Sequence, residues 1–224
     1  MEAYWVGQGC TTGLTHCRSK NRLPTAGRRT GSDAQAGRTR TQVRQLPPLS
    51  SPGMNTVVLR PVTDDDLAVF EARFYDESGT GEYQWFGHRT AASERKQFVE
   101  SGLLTADGGQ LTVLRGDEVC GRVSWFRSTW GRPDTSWCWS ISAGLLPECQ
   151  GKGIGTAAQR LLAEYLFLHT RAERVQAWTD VSNVAEQKAL ERAGFLREGV
   201  LRAAQWRAGG WRDQVVFARL RSDM

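Results

Sequence analysis

Three glycines within five residues mark the part of this 224-residue sequence that is best suited to bind an anion. They belong to the loop Gln150-Gly151-Lys152-Gly153-Ile154-Gly155-Thr156. Because glycine has no side chain, the main-chain amides of such a loop can approach a ligand closely. Amides at the start of a helix, together with the helix dipole, attract groups such as pyrophosphate. With the positive charge of Lys152 beside them, they predict a phosphate-binding loop.

The spacing of these glycines differs from two common nucleotide-binding motifs. A dinucleotide fingerprint has the form G-x-G-x-x-G, with an acidic residue about twenty positions later. A P-loop has the form G-x-x-x-x-G-K-[ST], which does not occur in the sequence. The loop has the spacing G-x-G-x-G instead. A glycine turn that only reverses the chain is the alternative that stays open at this point.

The loop is predicted to connect a strand to a helix. An apolar run from Trp137 to Leu146 is typical of a strand, and Pro147 ends it. After the loop, apolar residues recur at helix spacing, which predicts a helix over residues 156–169. These apolar residues are Ala158, Leu161, Leu162, Tyr165 and Leu166. The glycines are therefore expected where a strand passes into the start of a helix.

Several spaced motifs carry a family resemblance. Gln150-x-x-Gly153-x-Gly155, after a strand that ends in proline, resembles the Q/R-x-x-G-x-G/A signature of the GNAT superfamily of acetyl-coenzyme A-dependent N-acetyltransferases. Downstream, residues 183–195 resemble the helix and Gly-Phe close of the branch that includes ribosomal-protein alanine N-acetyltransferases. Upstream, residues 59–66 resemble the opening strand of that branch and its turn into the first helix. The resemblance covers about residues 56–220.

The predicted helices and strands alternate in an order typical of a mixed fold. Strands are predicted over residues 56–59, 110–114, 119–126, 137–146, 175–179, 195–207 and 211–220. Helices are predicted after the N-cap residue Thr63 and over residues 92–101, 156–169 and 183–193, the last closed by Gly194. The expected fold class is α+β, a GNAT-like central twisted mixed sheet of about seven strands flanked by about four helices.

The resemblance implies acetyl-coenzyme A as the co-substrate. The loop from Gln150 to Thr156 would hold its pyrophosphate. The strand before the loop, including Ala143 and Leu145, would form main-chain hydrogen bonds to the pantetheine arm along an edge that splays from the next strand. Asn183 is expected to contact the coenzyme near its thiol.

Direct attack of an amine on a thioester requires a neutral amine, and therefore a base or a water chain. Many relatives in the branch have a serine three residues after the asparagine, assigned to the thiol, whereas this sequence has Glu186. The Glu186 carboxylate is a candidate base, and the alternative is a solvent-facing residue on the helix surface. Glu148, which also has a structural interpretation, and Asn183 complete the candidate catalytic set. The tyrosine acid of other GNAT enzymes has no clear counterpart, so water is the expected proton donor to the leaving thiolate.

Three aromatic residues are candidates for the acceptor pocket. Trp85 and Phe86 lie in the loop between the first two helices, which the resemblance places at the border of the acceptor site. Trp206 precedes the final turn. The alternative for Trp85 and Phe86 is a hydrophobic plug, and the alternative for Trp206 is a place in the core. The acceptor itself stays open among a protein N-terminus, an amino sugar, an amino acid or polyamine, and a drug, and so does assembly as a homodimer.

The positive charge of the sequence is confined to its first part. Residues 1–53 contain eight lysines and arginines but only Glu2 and Asp33 as acids, whereas residues 54–224 contain 21 basic and 22 acidic residues. Residues 1–53 are therefore expected to be a basic, disordered tail, with Met54 as an alternative start, and residues 54–224 to be the N-acetyltransferase domain. A nucleic-acid-binding role is left to the tail. The other alternative is an acyl-coenzyme A-binding module without catalysis.

The remaining composition points to the cytoplasm. The five cysteines lack C-x-x-C spacing, so neither a metal site nor a redox motif is expected. Their scattered, odd number fits a reducing compartment. No apolar run has the length of a signal sequence or a membrane span.

Overall fold

One mixed sheet forms the centre of the computed structural model, which describes residues 56–224. The predictions about residues 1–53 and about Met54 fall outside this range. The strands are β1 (Val57–Pro61), β2 (Leu104–Thr105), β3 (Gly108–Arg115), β4 (Glu118–Thr129), β5 (Trp137–Leu145), β6 (Arg174–Asp180), β7 (Leu196–Arg207) and β8 (Gly210–Leu220). The helices are α1 (Asp64–Arg73), α2 (Glu77–Thr80), α3 (Ala92–Ser101), α4 (Ile154–His169) and α5 (Val184–Arg192), with short 3₁₀ turns at Pro147–Cys149 and Arg221–Asp223.

The strands follow the order β1-β3-β4-β5-β6-β8-β7, and β2 pairs with β3. All pairs are antiparallel except β5 with β6. The predicted α+β class with a central mixed sheet is therefore confirmed. The sheet has eight strands and the described chain five α-helices, because the two-residue β2 and the four-residue α2 are too short to give a periodic signal.

The helices begin and end at chemically clear positions. Thr63 caps α1 as predicted, since its hydroxyl accepts from the Asp66 amide and the Asp66 carboxylate accepts from the Thr63 amide. Gly194 follows α5 with a φ of 91°, in agreement with the predicted close of that helix. The helix after the glycine loop begins at Ile154, two residues before the predicted start.

The main core lies between the sheet and the buried face of α4. That face contributes Ile154, Ala158, Leu162, Ala163, Leu166 and Phe167, and the sheet contributes Val123, Trp125, Ile141, Val215 and Phe217. On α1, Leu67 and Phe70 are buried. Among the described residues, no helix has both the length and the apolar character needed to cross a bilayer.

The parallel strands β5 and β6 diverge soon after they meet. Their pairing is limited to Trp139 with Val175 and Ser140 with Gln176. Beyond these residues β5 continues to Leu145 next to β4, and β6 continues to Asp180 next to β8. The sheet therefore opens into a cleft between the two strand ends. This is the splayed edge that the sequence resemblance implies.

Candidate active site

The open edge of β5 carries two main-chain carbonyls that bond to side chains. Ala143 O accepts a hydrogen bond from Gln84 Nε2 at 2.8 Å. Leu145 O accepts one from Gln150 Nε2 at 3.0 Å. A ligand can displace a side chain from a main-chain carbonyl, whereas it cannot displace a neighbouring strand. Ala143 and Leu145 thus lie on the open edge of β5, and their bonds to the pantetheine arm stay a prediction. Gln84 is a contact that the sequence analysis missed.

The glycine loop leaves a set of donors free at the start of α4. Within residues 56–224, none of the six main-chain amides from Gly151 to Thr156 donates to an oxygen. The first amide to do so belongs to Ala157, which donates to Gly153 O at 3.1 Å. Gly151 and Gly153 have φ angles of 70° and 76°, in the left-handed region that favours glycine. The free amides are compatible with the anion site that the sequence predicts, and anion binding here stays a prediction.

Gly155 brings the helix start close to the end of β5. A Cβ atom at this position would lie 3.4 Å from Leu145 Cδ1 and 4.0 Å from Gln159 Nε2. Lys152 is exposed at the outer side of the loop. The close approach of the helix start to Leu145 leaves a narrow space at Gly155. Together with the free amides and the exposed ammonium group, this space fits a long ligand with a phosphorylated end. The residues present are thus compatible with coenzyme A.

Glu186 lies in the first turn of α5 and is partly buried. Burial raises the pKa of its carboxyl to about 7, while the side chain of Gln159 on α4 acts in the opposite direction. A carboxyl whose pKa lies near the working pH is well suited to accept and release a proton. Glu186 is neither fully exposed nor fully buried, so the candidate base and the solvent-facing residue on the helix surface both stay predictions.

Asn183 caps α5 through its side chain. Its Oδ1 accepts a hydrogen bond from Glu186 N at 3.2 Å, and its Nδ2 donates to Thr179 Oγ1 at 3.1 Å. Asn183 therefore fixes the start of α5, and with it the position of Glu186, relative to the end of β6. Its contact with the coenzyme stays a prediction.

Glu148 is engaged in an exposed ion pair. Both of its carboxylate oxygens accept from Arg73 Nη2, at 3.0 and 2.8 Å. The main-chain amide of Glu148 itself and then Arg73 lower the pKa of this carboxyl. A carboxylate held in this way is a weak base, and the pair ties α1 to the 3₁₀ turn before the glycine loop. This geometry favours the structural interpretation of Glu148.

The loop that carries Trp85 and Phe86 is attached to the far side of the cleft. Arg207 Nη1 donates to Tyr83 O at 3.1 Å, and the guanidinium lies 5.2 Å from the centre of the Tyr83 ring. Tyr83 Oη donates to Ser182 O at 3.3 Å. Together with the Gln84 contact to β5, these bonds make residues 83–84 a bridge across the cleft.

The three predicted acceptor residues have different surroundings. Trp85 is partly buried and packs edge-on against His88, with ring centres 5.2 Å apart. Phe86 is 60% exposed. Trp206 packs edge-on against Trp211 across the β7–β8 hairpin, with ring centres 5.6 Å apart. In the part of the chain that the structure describes, no aromatic contact joins Trp206 to Trp85 or Phe86.

Two further residues escaped the sequence analysis. Arg207 forms a buried ion pair with Asp180, a partner 27 positions away. Gln159 is 1% exposed on the apolar face of α4. A polar residue inside an apolar helical stripe was the available signal for Gln159, whereas nothing in the sequence singles out Arg207 among its many neighbouring arginines.

One cluster contains groups of the type that bind metals. Ligand atoms of Glu118, Cys120 and Cys149 all lie within 4.8 Å of one another. Both cysteines are buried, and burial is the largest cause that raises the pKa of the Cys149 thiol to about 12. Metals bind thiolates, so protonated buried thiols make a poor ligand set. The expected absence of a metal stays a prediction.

An anion-binding helix start beside an open strand edge is the arrangement expected of an acyl-coenzyme A-dependent transferase. A family model described as Acetyltransferase (GNAT) domain matches residues 56–196, more than half of the chain. The chain therefore belongs to the GNAT acetyltransferase family. The family and the fold class predicted from the sequence are confirmed, and the predicted enzyme class, an acetyl-coenzyme A-dependent acetyltransferase, is that of the family.

Individual proteins show the same relationship. The chain is 35% identical over 130 residues to Probable N-acetyltransferase YjcK of Bacillus subtilis (strain 168). That match covers 58% of the chain and 66% of the relative, just under two thirds of its length. A spermidine N-acetyltransferase from Vibrio cholerae in complex with CoA and spermine has a similar fold, with a TM-score of 0.63 and 18% identity, covering 75% of the chain and 96% of that structure. The ribosomal-protein-S5-alanine acetyltransferase from Vibrio fischeri gives a TM-score of 0.59 and 19% identity, covering 75% and 94%.

Proposed function

We propose that the protein transfers the acetyl group of acetyl-coenzyme A to a primary amine by direct attack of the amine on the thioester. The observation that carries this proposal is the set of six free amides at the start of α4, next to the open edge of β5. Anion-binding donors and an unpaired strand edge are the two features that a long phosphorylated thioester requires.

The coenzyme-binding residues are assigned from this geometry. The amides of Gly151, Lys152, Gly153, Ile154, Gly155 and Thr156 would bind the pyrophosphate, assisted by the Lys152 ammonium group. The pantetheine arm would run past Gly155 and bond to the β5 edge at Ala143 and Leu145, exchanging with the side chains of Gln84 and Gln150. Asn183 would border the thiol end, because it lies at the turn between β6 and α5.

Glu186 would carry the proton that the reaction moves. The amine nitrogen attacks the thioester carbonyl carbon, and the bond between this carbon and sulfur breaks. The proton lost by the nitrogen passes to the Glu186 carboxylate, directly or through water, and the thiolate leaves by taking a proton from Glu186 or from water. A carboxyl whose pKa is about 7 can accept and release a proton with little cost at neutral pH. Glu148 is assigned no proton transfer, because Arg73 holds it as an ion pair.

The proposed acceptor is an amine with a sizeable body, because Phe86 and Trp206 are large aromatic side chains that are 60% and 56% exposed. Structures with a similar fold act on spermidine and on a ribosomal protein, according to their names. Both a polyamine and a protein N-terminus are therefore candidate acceptors, with Trp85, Phe86 and Trp206 as candidate contacts. Cytoplasmic location and assembly as a homodimer stay predictions.

A turnover assay with a panel of amines tests the proposal. Release of the free thiol from acetyl-coenzyme A would be followed with spermidine, an amino sugar, an aminoglycoside and peptides beginning with alanine or serine. We expect turnover with at least one acceptor, and its loss in Glu186→Gln but not in Glu191→Gln, which changes an exposed carboxylate on the same helix. Coenzyme binding without turnover of any amine would favour the alternative, a non-catalytic acyl-coenzyme A-binding module.

A further inference from the structure

We propose that an apolar group carried by the acceptor amine binds in a pocket between Trp130 and strand β7. This inference rests on the proposed function, since it gives the acceptor a point of contact beyond its reacting nitrogen. The pocket has a volume of about 190 Å³. Its lining, which we call the Trp130 pocket, consists of Trp130, Glu198, Gly199, Val200, Leu201 and Val216.

The pocket lies on the sheet face that points away from α4. Trp125 of β4 packs against Tyr165 of α4, with ring centres 5.9 Å apart. Side chains alternate along a strand, so the next residue, Phe126, points to the opposite face. There its ring packs edge-on against Trp178 of β6, with ring centres 6.0 Å apart. Val216 of β8 is the cross-strand partner of Trp178 and shares its face, which places the pocket beside this aromatic pair.

One side of β6 connects the pocket to the cleft. Gln176, Trp178 and Asp180 lie on this side, because side chains alternate along the strand. Trp130 Nε1 donates to Gln176 Oε1 at 2.9 Å, which fixes the indole over this side of β6. Asp180, at the far end of the strand, is bound by Arg207, which also holds the loop across the cleft.

The cleft and the pocket are close enough for one acceptor to reach both. The strands β5 and β6 separate directly after Gln176, so Trp178 lies at the inner end of the cleft. The distance along β6 from Gln176 to Asp180 is about 13 Å, at roughly 3.3 Å per residue. An amine between the separating strands can therefore place its body in the Trp130 pocket, past the ring of Trp178.

Hydrogen bonds hold both walls of the pocket in place. Besides its bond to Gln176, Trp130 donates its main-chain amide to Ser136 O at 2.8 Å. Glu198 accepts from Arg174 Nη1 at 2.7 Å and from Arg174 Nη2 at 2.5 Å. Arg174 Nε also donates to Gln176 Oε1, at 3.2 Å, and so links the two walls. The pocket is therefore pre-formed, and binding there does not require a ligand to order these side chains.

The chemistry of the pocket favours an uncharged, apolar group. Trp130, Val200 and Leu201 are 61%, 41% and 44% exposed. Glu198, the charged member of the lining, is paired with Arg174. Burial of an apolar group is favourable, whereas a second ammonium group of a polyamine would lose water without gaining an unpaired carboxylate. Apolar cavities of about 150 Å³ hold benzene, so the acceptor class is an amine that carries an aryl or a branched alkyl group.

NMR of the indole N–H groups in the full-length protein tests the inference without turnover. Coenzyme A, which carries no acetyl group, would be added to fill the coenzyme site, and the Trp130 signal would be assigned with Trp130→Phe. The ring-bearing probes are 2-phenylethylamine and a peptide that begins with Ala-Phe. Ethylamine and a peptide that begins with Ala-Gly lack the ring, and spermidine has a charged body. We expect the Trp130 signal to shift with at least one ring-bearing probe and with none of the others. The ring-bearing probe that succeeds distinguishes a small amine from a protein N-terminus.

Two variants alter the pocket in different ways. Trp130→Ala removes one wall. Gly199→Leu fills the pocket, since Gly199 pairs with Val216 and a Cβ atom at this position would meet no atom within 4 Å. Each variant should lower kcat/KM for the ring-bearing acceptor roughly tenfold and leave kcat/KM for the ring-free amine unchanged. Leu196→Ala is the control, because Leu196 is a 67% exposed apolar residue of β7 outside the pocket lining.

A Trp130 signal that responds to neither ring-bearing probe, or equally to ethylamine and 2-phenylethylamine, would overturn the inference. So would a signal that shifts with protein concentration alone, because a second copy of the chain would then cover the pocket. If the Trp130 signal shifts as expected but no amine is acetylated, the proposed function is wrong. If amines are acetylated with no preference for an apolar group, the assignment of the pocket alone is wrong.

Discussion

Arg207 of β7 and Asp180 of β6 form an ion pair in which each side chain is only 7% exposed. Burial opposes the ionisation of Asp180, but hydrogen bonds from Ser182 and from Arg207 outweigh it and lower the pKa of the carboxyl. Arg207 also binds the carbonyl and the ring of Tyr83. One guanidinium thus joins the far wall of the cleft to the loop that crosses it.

Arg207→Leu should destabilise the protein by about 3–5 kcal/mol at pH 7, because it leaves the Asp180 carboxylate buried without a counter-charge. Chemical denaturation measures this loss. Arg174→Leu is the matched control, since it removes an arginine of β6 from a pair whose side chains are 22% and 43% exposed. Its expected cost is about 0–1 kcal/mol. Equal losses of stability in the two variants would contradict the claim that burial makes the Arg207–Asp180 ion pair the more important of the two.

Gly153→Leu should weaken acetyl-coenzyme A binding by roughly 10–100-fold, because the new side chain would occupy open space that a ligand needs in order to approach the loop. The φ of 76° adds a strain of about 1–2 kcal/mol. Gly209→Leu is the control, since Gly209 has a φ of 74° and equally open surroundings in the β7–β8 turn. Calorimetric titration should find normal affinity in Gly209→Leu, and the same stability loss in both variants. If Gly153→Leu and Gly209→Leu bound acetyl-coenzyme A with the same affinity, the loop would be ruled out as the pyrophosphate site.

Glu186→Gln should make the protein more stable at alkaline pH. The folded pKa of Glu186, about 7, lies above the ordinary value of 4.5, so the fold favours the neutral carboxyl. This contribution to stability is complete below the ordinary pKa and is lost as the pH rises through the folded one. The variant should therefore match the wild type near pH 4.5 and exceed it by on the order of 2–3 kcal/mol at pH 9. Urea denaturation at the two pH values measures the gap, and the exposed-site variant Glu191→Gln should show none.

Phe86→Ala and Trp206→Ala should raise KM for the amine by roughly tenfold while leaving the affinity for acetyl-coenzyme A unchanged, because their rings are assigned to the acceptor side. Leu168→Ala, at a site on α4 that is 76% exposed, controls for the loss of an exposed apolar side chain. Steady-state kinetics with the acceptor found in the panel separates the two constants. If only the affinity for acetyl-coenzyme A changed, the assignment of these residues to the acceptor side of the cleft would be wrong.

The sequence was most informative where chemistry and periodicity coincide. The glycine loop, the strand before it and the amphipathic helix after it are local features, and together they predicted a loop that connects the end of a strand to the start of a helix. The start of α4 was predicted two residues late because Gly153, with its left-handed conformation, acts as the N-cap in place of a hydrogen-bonding side chain. The mixed sheet followed from the order of strands and helices.

Contacts between distant residues were beyond the reach of sequence patterns. Gln84 and Ala143 are 59 positions apart, and no periodicity links them. The pairing of Glu148 with Arg73, 75 positions away, changes its interpretation from a candidate base to a structural tie. The neighbourhood of Glu186 depends in the same way on how α4 and α5 pack, and this packing determines whether its carboxyl is solvated or buried.

Calorimetric titration of acetyl-coenzyme A into the full-length protein tests the central claim most directly, with ATP and NADH as comparison ligands. The account predicts selective binding of one acetyl-coenzyme A per chain, with much weaker binding of the two nucleotides. Absence of coenzyme binding in protein shown to be folded would contradict it, because the free amides at Gly151 to Thr156 would then form only a turn.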